Sequence, residues 1–141
     1  MPGSKSIRLA DGRQLGYEQY GPPDGKPLFF FHGNPGSRLD MYYAYPERLA
    51  RQDLRIIAPD RPGIGPSTFQ PGRRFLDYAA DMCSLADALG LGRFAAVSVS
   101  TGSAYLAETI PDCRASFYPG KGHFSLLVNK AGEFLEELVP V

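Results

Sequence analysis

Four short stretches of this chain are apolar without alternation: residues 28–31, residues 54–58 (broken only by Arg55), residues 94–99 and, more weakly, residues 115–118. A strand with one wet face alternates apolar and polar residues with a period of two. A strand covered on both faces does not, and such strands belong to parallel sheets packed between helices. Helical periodicity fills the gaps between the runs. Within residues 75–89, Ala79, Cys83, Ala86 and Leu89 fall near one stripe, and Gly90 supplies a stop signal. Residues 101–110 predict a short helix closed by Pro111. Residues 126–138 place Leu127, Ala131, Phe134, Leu135 and Leu138 on one helical face. Residues 42–52 also read as a helix, with Pro46 in its first turn. Ahead of all these, Ile7, Leu9, Leu15 and Tyr17 flank Ala10-Asp11-Gly12-Arg13, the pattern of an antiparallel hairpin with a glycine-containing turn. The expected class is α/β: a mostly parallel sheet with an N-terminal antiparallel hairpin, flanking helices and right-handed crossovers.

Bulk properties narrow the function. A chain of 141 residues is expected to build a single domain around one core. Basic and acidic residues balance at 15 each, so nothing attracts phosphate backbones and nucleic acid is not an expected partner. No stretch is long and apolar enough to span a bilayer, so no membrane partner is expected. Lys5 and Arg8 are not followed by the apolar core of a secretory signal. Cys83 and Cys113 fit neither a metal-binding spacing nor a disulfide framework. A cytoplasmic, reduced protein is expected.

In an open α/β sheet, ligand chemistry collects beyond the carboxyl ends of the strands. All four loops at that position carry chemically pointed residues. Ser98-Val99-Ser100-Thr101-Gly102 matches the nucleophile-elbow pattern G-x-S-x-G, with Ser98 in place of the first glycine. Small neighbours are needed there because the nucleophile holds a strained turn between a closely packed strand and helix. An ordinary helix-capping serine at a strand end is the plainer alternative. His32-Gly33-Asn34-Pro35-Gly36 follows the first apolar run, where a backbone N–H can point at a developing oxyanion. His32 itself lies before that turn and reads as structural. The third loop is Asp60-Arg61-Pro62-Gly63-Ile64-Gly65-Pro66-Ser67. The fourth, residues 118–124, carries His123 between glycine-rich residues and a final amphipathic helix.

Taken in order, residues 32–38, 54–68, 75–91, 94–107 and 110–138 resemble the α/β-hydrolase superfamily. They are most similar to its bacterial esterase-like members, which have an HG-x-PGSR turn and a DRPG-x-G-x-S turn. That resemblance implies Ser100 as nucleophile, His123 as general base, and the backbone N–H groups of Asn34 and Thr101 as the oxyanion hole. The HGNP tetrapeptide also resembles haloalkane dehalogenases, but those use an aspartate nucleophile and position 100 is serine. Esters are therefore expected in place of carbon–halogen bonds.

The family pattern is shortened here. His123 follows Ser100 by 23 positions, where the family places two more strands, a cap and the acidic triad member. The expectation is one minimal α/β-hydrolase domain over residues 1–141, with a deletion junction within residues 107–111. Asp112 precedes its strand and belongs at the wrong sheet edge. Asp60 is separated from the elbow strand by one strand and supports its own turn. Glu133 lies on the last helix. None is assigned the acid's role, and its loss costs about 10⁴-fold in serine proteases.

The leading functional expectation is a weak serine esterase for small carboxylic esters, working through an acyl-enzyme intermediate. No metal is expected, since H-E-x-x-H is absent. No organic cofactor is expected either, since there is no P-loop and Gly63-Ile64-Gly65 lacks the third glycine of a dinucleotide fingerprint. The alternatives are a catalytically impaired, shortened scaffold, and an acyltransferase or perhydrolase on the same site. Exposed edges and apolar surface left by the shortening predict a homodimer or domain-swapped form.

Overall fold

The computed structural model describes residues 3–33, 35–44, 53–92, 94–98 and 113–115. Its strands are β1 (Lys5–Arg8), β2 (Gln14–Tyr20), β3 (Lys26–Phe31), β4 (Leu54–Pro59), β5 (Phe94–Ser98) and β6 (Cys113–Ala115). Two helices, α1 (Asp40–Ala44) and α2 (Phe75–Ala88), complete the described elements.

The hairpin forms where the sequence places it. Ile7 pairs with Leu15 and Ser6 with Gly16 across antiparallel β1 and β2. Gly12 turns the chain at φ +90°, a backbone state that other residues adopt only at a cost of about 1–2 kcal/mol. Asp11 Oδ1 accepts from the Arg13 N–H at 3.1 Å, the local side-chain bond that makes aspartate a turn residue. The sheet order is β1-β2-β4-β3-β5-β6. β2 runs antiparallel to β4, while the β4-β3, β3-β5 and β5-β6 pairs are all parallel. This is the expected α/β-hydrolase arrangement, a parallel sheet entered through an antiparallel hairpin.

Coverage of both faces explains the apolar runs. Phe29, Phe31, Ile57, Leu15 and Tyr17 face α2, where Tyr78, Ala79, Met82, Leu85 and Ala86 complete the core. Leu28, Phe30, Ile56 and Ala58 alternate with them in sequence and are equally buried. The rings of Phe29 and Phe94 lie 4.5 Å apart, tying β3 to β5 through side chains as well as backbone. Each such side chain contributes about 1.5–3 kcal/mol of burial.

α2 is defined at both ends by its own residues. The Arg74 N–H donates to Asp77 Oδ2 at 2.8 Å, an acid at the third helical position closing the first turn. At the other end Gly90 adopts φ +70° and donates to Asp87 O, while Leu91 donates to Ala86 O. That is a Schellman ending, with Gly90 the stop expected from sequence.

Two boundaries differ from expectation. The helix expected from Tyr42 starts at Asp40, because Ser37 Oγ accepts from the Leu39 N–H and Asp40 Oδ1 from the Ser37 N–H. Those polar caps set the start, and apolar periodicity does not register them. The last strand pairs from Cys113, two residues before the apolar run, because its register is set by Phe94, Ala95 and Ala96 of β5. The remainder of that strand, the expected helices over residues 101–110 and 126–138, the end of the helix over residues 42–52, and the junction within residues 107–111 lie outside the described residues. Among the described residues, no helix is long and apolar enough to cross a membrane.

The hairpin is fastened to α2 by one charged pair. Arg13 Nη1 and Nη2 donate to the two oxygens of Asp81 at 3.0 and 2.8 Å, and Asp81 is 5% exposed. Arg13 also reaches Asp11, but that carboxylate is half exposed and its pair is worth little. Removing one member of a buried bidentate pair strands the other, whereas replacing both does not. We therefore expect Asp81→Ala to lower stability by about 3 kcal/mol in urea unfolding. The double variant R13M/D81L should lose less than D81A alone. A double variant as unstable as the sum of the single ones would show that the pair does not act as a unit.

Candidate active site

The carboxyl ends of β4, β3 and β5 lie side by side. Phe29 is level with Ile57 and Ala96, and Phe31 is level with Ser98. β3, β4 and β5 therefore end side by side at nearly one height, the place where this sheet type binds ligands.

The loops after β3 and β4 are locked together by buried polar groups. Asp60 has no exposed surface. Its Oδ1 accepts from the Arg38 N–H at 2.7 Å and its Oδ2 from Arg38 Nη1 at 2.9 Å. Burial still pushes its carboxyl above the ordinary carboxylate range, against the pull of the Arg38 amide and guanidinium. Arg38 is itself held, because Tyr20 donates its hydroxyl to Arg38 O at 2.8 Å. Ser67 Oγ accepts from the Gly16 N–H at 2.9 Å and donates to Asp60 O at 3.2 Å, sewing the end of the turn to β2.

His32 is 2% exposed and connects the same two loops. Its Nδ1 lies 2.7 Å from Gly33 O, an acceptor, so Nδ1 carries the proton. Its Nε2 accepts from the Arg61 N–H at 3.2 Å, and Arg61 Nη2 donates to His32 O at 2.8 Å. Both ring nitrogens are thus used. Burial lowers the ring's pKa to about 4, with the nearby Arg61 guanidinium acting in the same direction against the Gly33 carbonyl. A neutral imidazole with both nitrogens engaged is a brace for the loop and not a general base, as its sequence position implied.

Two glycines are required by this packing. A Cβ on Gly36 would stand 2.8 Å from Gly33 O and 2.6 Å from Asp40 Oδ2. Gly65 sits at φ +52°, and a Cβ there would run into Asp60 Oδ2 and Arg38 Nη1.

The residues assigned the chemistry, Ser100, Thr101, His123 and Asn34, lie outside the described residues, as does Glu133. What the described residues fix is their attachment: β5 ends beside β3, and β6 runs parallel to β5. Asp60 stands one strand away from β5, as expected, and both its oxygens are taken by Arg38. Cys113 pairs with Phe94, so the chain enters β6 at the amino end of β5, about 13 Å from the level of Ser98. Asp112 itself lies outside the described residues. Sequence reasoning assigned no role to Arg38, Arg61 or Tyr20. The available signal was two charged loops at neighbouring strand ends, since charges buried there must find partners. Among the described residues, no group of three or more His, Cys, Asp or Glu is placed to hold a metal ion.

A family model described as alpha/beta hydrolase fold matches residues 26–129. A non-heme chloroperoxidase from Streptomyces lividans is 34% identical over 126 residues, covering 88% of this chain and 44% of the relative. A bifunctional esterase/perhydrolase from Acinetobacter calcoaceticus is 34% identical over 102 residues, covering 72% of this chain and 37% of the relative. Among solved structures, an epoxide hydrolase from metagenomes of hot environments superposes with a TM-score of 0.66 at 28% identity, over 82% of this chain and 40% of the other. The chain spans less than half the length of these proteins.

Two outcomes follow from the loop packing. His32 is neutral in the fold down to about pH 4, while the unfolded chain takes up that proton near pH 6.5. Protons therefore favour unfolding between those values, and stability falls as pH drops through the window. Relative to H32Q, the wild type should lose on the order of 2–3 kcal/mol between pH 7.5 and 4.5 in urea titrations. The raised Asp60 carboxyl acts in the opposite sense and is common to both proteins. Parallel pH profiles would show that His32 is not held neutral. The second outcome compares two glycines at positive φ. Gly12 has open space around its Cβ position, so G12A should cost only the backbone term, about 1–2 kcal/mol. G65A also breaks the Asp60–Arg38 pair and should cost at least about 2 kcal/mol more. Equal losses would mean that the pair adjusts freely.

Proposed function

This chain belongs to the α/β-hydrolase family, and from that premise we propose that it is a serine hydrolase of small carboxylic esters. Ser100 is the nucleophile and forms the acyl-enzyme. His123 takes the Ser100 proton, returns it to the leaving alcohol and then activates water for deacylation. The N–H groups of Asn34 and Thr101 receive the oxyanion.

The observation that carries this proposal is the register of β3 against β5. Phe31 opposite Ser98 means that the two oxyanion donors follow strand ends that are adjacent and level. The brace at His32 adds direction. A trans peptide sets its N–H opposite to its carbonyl. Gly33 O, the carbonyl just ahead of Asn34, is held by His32 Nδ1–H, which supports giving the Asn34 N–H the donor's role. Two such donors are worth roughly 3 kcal/mol each in acyl-transfer transition states. β6 runs parallel to β5 and so points to the same edge of the sheet, which supports a role for His123 beyond it. Asp60, which follows β4 at this edge of the sheet, has both oxygens engaged by Arg38 and does not supply the acid in this proposal, so slow turnover is expected.

A second chemistry has a specific motive. One relative is a bifunctional esterase/perhydrolase and another a non-heme chloroperoxidase. Hydrogen peroxide attacking the acyl-enzyme in place of water would give a peracid from the same intermediate. Partition of an acetyl ester between acetate and peracetate separates the two.

Nucleophile activation is tested without guessing a substrate. A fluorophosphonate probe should give one stoichiometric adduct, mapped to Ser100 by peptide mass. The adduct should be absent from denatured protein and from S100A, and it should form at least about 100-fold more slowly in H123A. No adduct, with a known serine hydrolase labelled in parallel, would overturn the proposal in favour of an inactive scaffold.

A further inference from the structure

The chain leaves β3 through Gly33, the residue type with the widest choice of backbone conformation. A glycine lets a chain turn but does not set the direction of the turn. Each peptide is a rigid plane, so the direction is set once the planes on both sides of Gly33 are held. Both are held here. His32 O, in the plane before it, accepts from Arg61 Nη2 at 2.8 Å. Gly33 O, in the plane after it, lies 2.7 Å from His32 Nδ1. We propose that Arg61 is a positioning residue for the acylation step, acting through His32 and Gly33 on the oxyanion segment. This rests on the serine-hydrolase reading above and on the donor's role it gives to the Asn34 N–H.

Arg61 meets His32 by two routes of different kind. Its backbone N–H donates to His32 Nε2 at 3.2 Å, a bond that any side chain at position 61 leaves available. Its guanidinium holds His32 O, and only the side chain can do that. The identity of residue 61 therefore bears on one peptide plane, while the imidazole keeps its backbone partner. The guanidinium is partly buried, and burial lowers its pKa, against Tyr78 and together with Arg73. An apolar side chain of similar length would fill this space without the desolvation cost. Lysine would bring a donor but not the planar, pre-organised fork.

A hold on the oxyanion segment matters most when charge develops. Oxyanion donors stabilise the transition state more than the bound ester, so their placement acts on the chemical step. Misplacement by about 1 Å at a reacting centre can cost on the order of 100-fold. Releasing the His32–Gly33 plane should therefore lower kcat and leave KM nearly unchanged.

The test compares R61M, R61K and D81A in the full chain, with folding checked by urea unfolding of the same samples. Ser100 labelling by a fluorophosphonate is timed, and kcat and KM are measured with p-nitrophenyl acetate. R61M should label Ser100 and turn over at least about tenfold more slowly, with KM within about twofold of wild type. R61K should fall between R61M and wild type. D81A, which loses stability at the Arg13–Asp81 link, should label at the wild-type rate while folded. R61Q, polar but shorter than arginine, replaces R61M if that variant does not fold. Wild-type kcat in R61M or R61Q, a raised KM with kcat kept, or D81A slowed as much as R61M would each overturn this inference while leaving the serine-hydrolase reading in place. A wild type that does not label would overturn both.

Discussion

The Asp60 carboxylate has no exposed surface, and the carboxyl edge of the sheet is organised around keeping it there. A buried carboxylate without compensation is among the most costly groups a fold can contain. Arg38 supplies both an amide N–H and a guanidinium, which satisfies one lone pair on each oxygen. The carboxyl's raised pKa shows that this compensation is incomplete. The pair must therefore be held tightly, and its surroundings follow from that need. Tyr20 fixes the Arg38 carbonyl, Ser67 links Asp60 O to β2, and residue 65 is a glycine because a Cβ would separate the partners. The ion pair adds little net stability after desolvation. Its effect is geometric, since it makes the β3 and β4 loops one body.

That body includes the candidate oxyanion loop. Arg38 belongs to the segment after β3 and Asp60 to the segment after β4, and His32 and Arg61 make a second crossing between the same segments. Two independent crossings fix relative position and rotation, which one cannot. Loops at strand ends are usually mobile. An oxyanion donor is useful only if it needs no reorganisation as charge develops. The interactions that satisfy His32 also engage the Gly33 carbonyl, so the same buried polar links that join the two loops brace the candidate oxyanion segment.

Much of this architecture was legible in the sequence, for identifiable reasons. The runs at residues 28–31 and 54–58 became β3 and β4 because double burial imposes continuous apolar character, and the run that starts at Phe94 contains β5. Gly12 and Gly90 marked a turn and a helix end because only their positive φ explains a glycine there. The start of α1 was not legible, because Ser37 and Asp40 act through hydrogen bonds that have no periodicity. The start of β6 was missed because its register comes from a partner strand and not from its own residues. At the candidate site, His32 was readable as structural from its place at a strand end. The Arg38–Asp60 pair was not, since sequence shows two charges on separate loops and not that a buried strand end brings them together.

The same pair bears on the catalytic proposal. Asp60 follows β4 at the carboxyl edge, one strand from β5, yet both its oxygens are engaged and freeing one would weaken its pairing with Arg38 in a buried site. In the proposed mechanism it could not orient His123 without breaking its own link to Arg38. The two losses can be weighed. A missing triad acid costs about 10⁴-fold, roughly 5 kcal/mol of barrier. Two oxyanion donors together contribute roughly 5–8 kcal/mol. Recruiting Asp60 would recover the smaller term by giving up part of the larger one. For the proposed Ser100–His123 dyad, an intact, braced β3 segment would therefore be worth more than a third catalytic side chain recruited from Asp60.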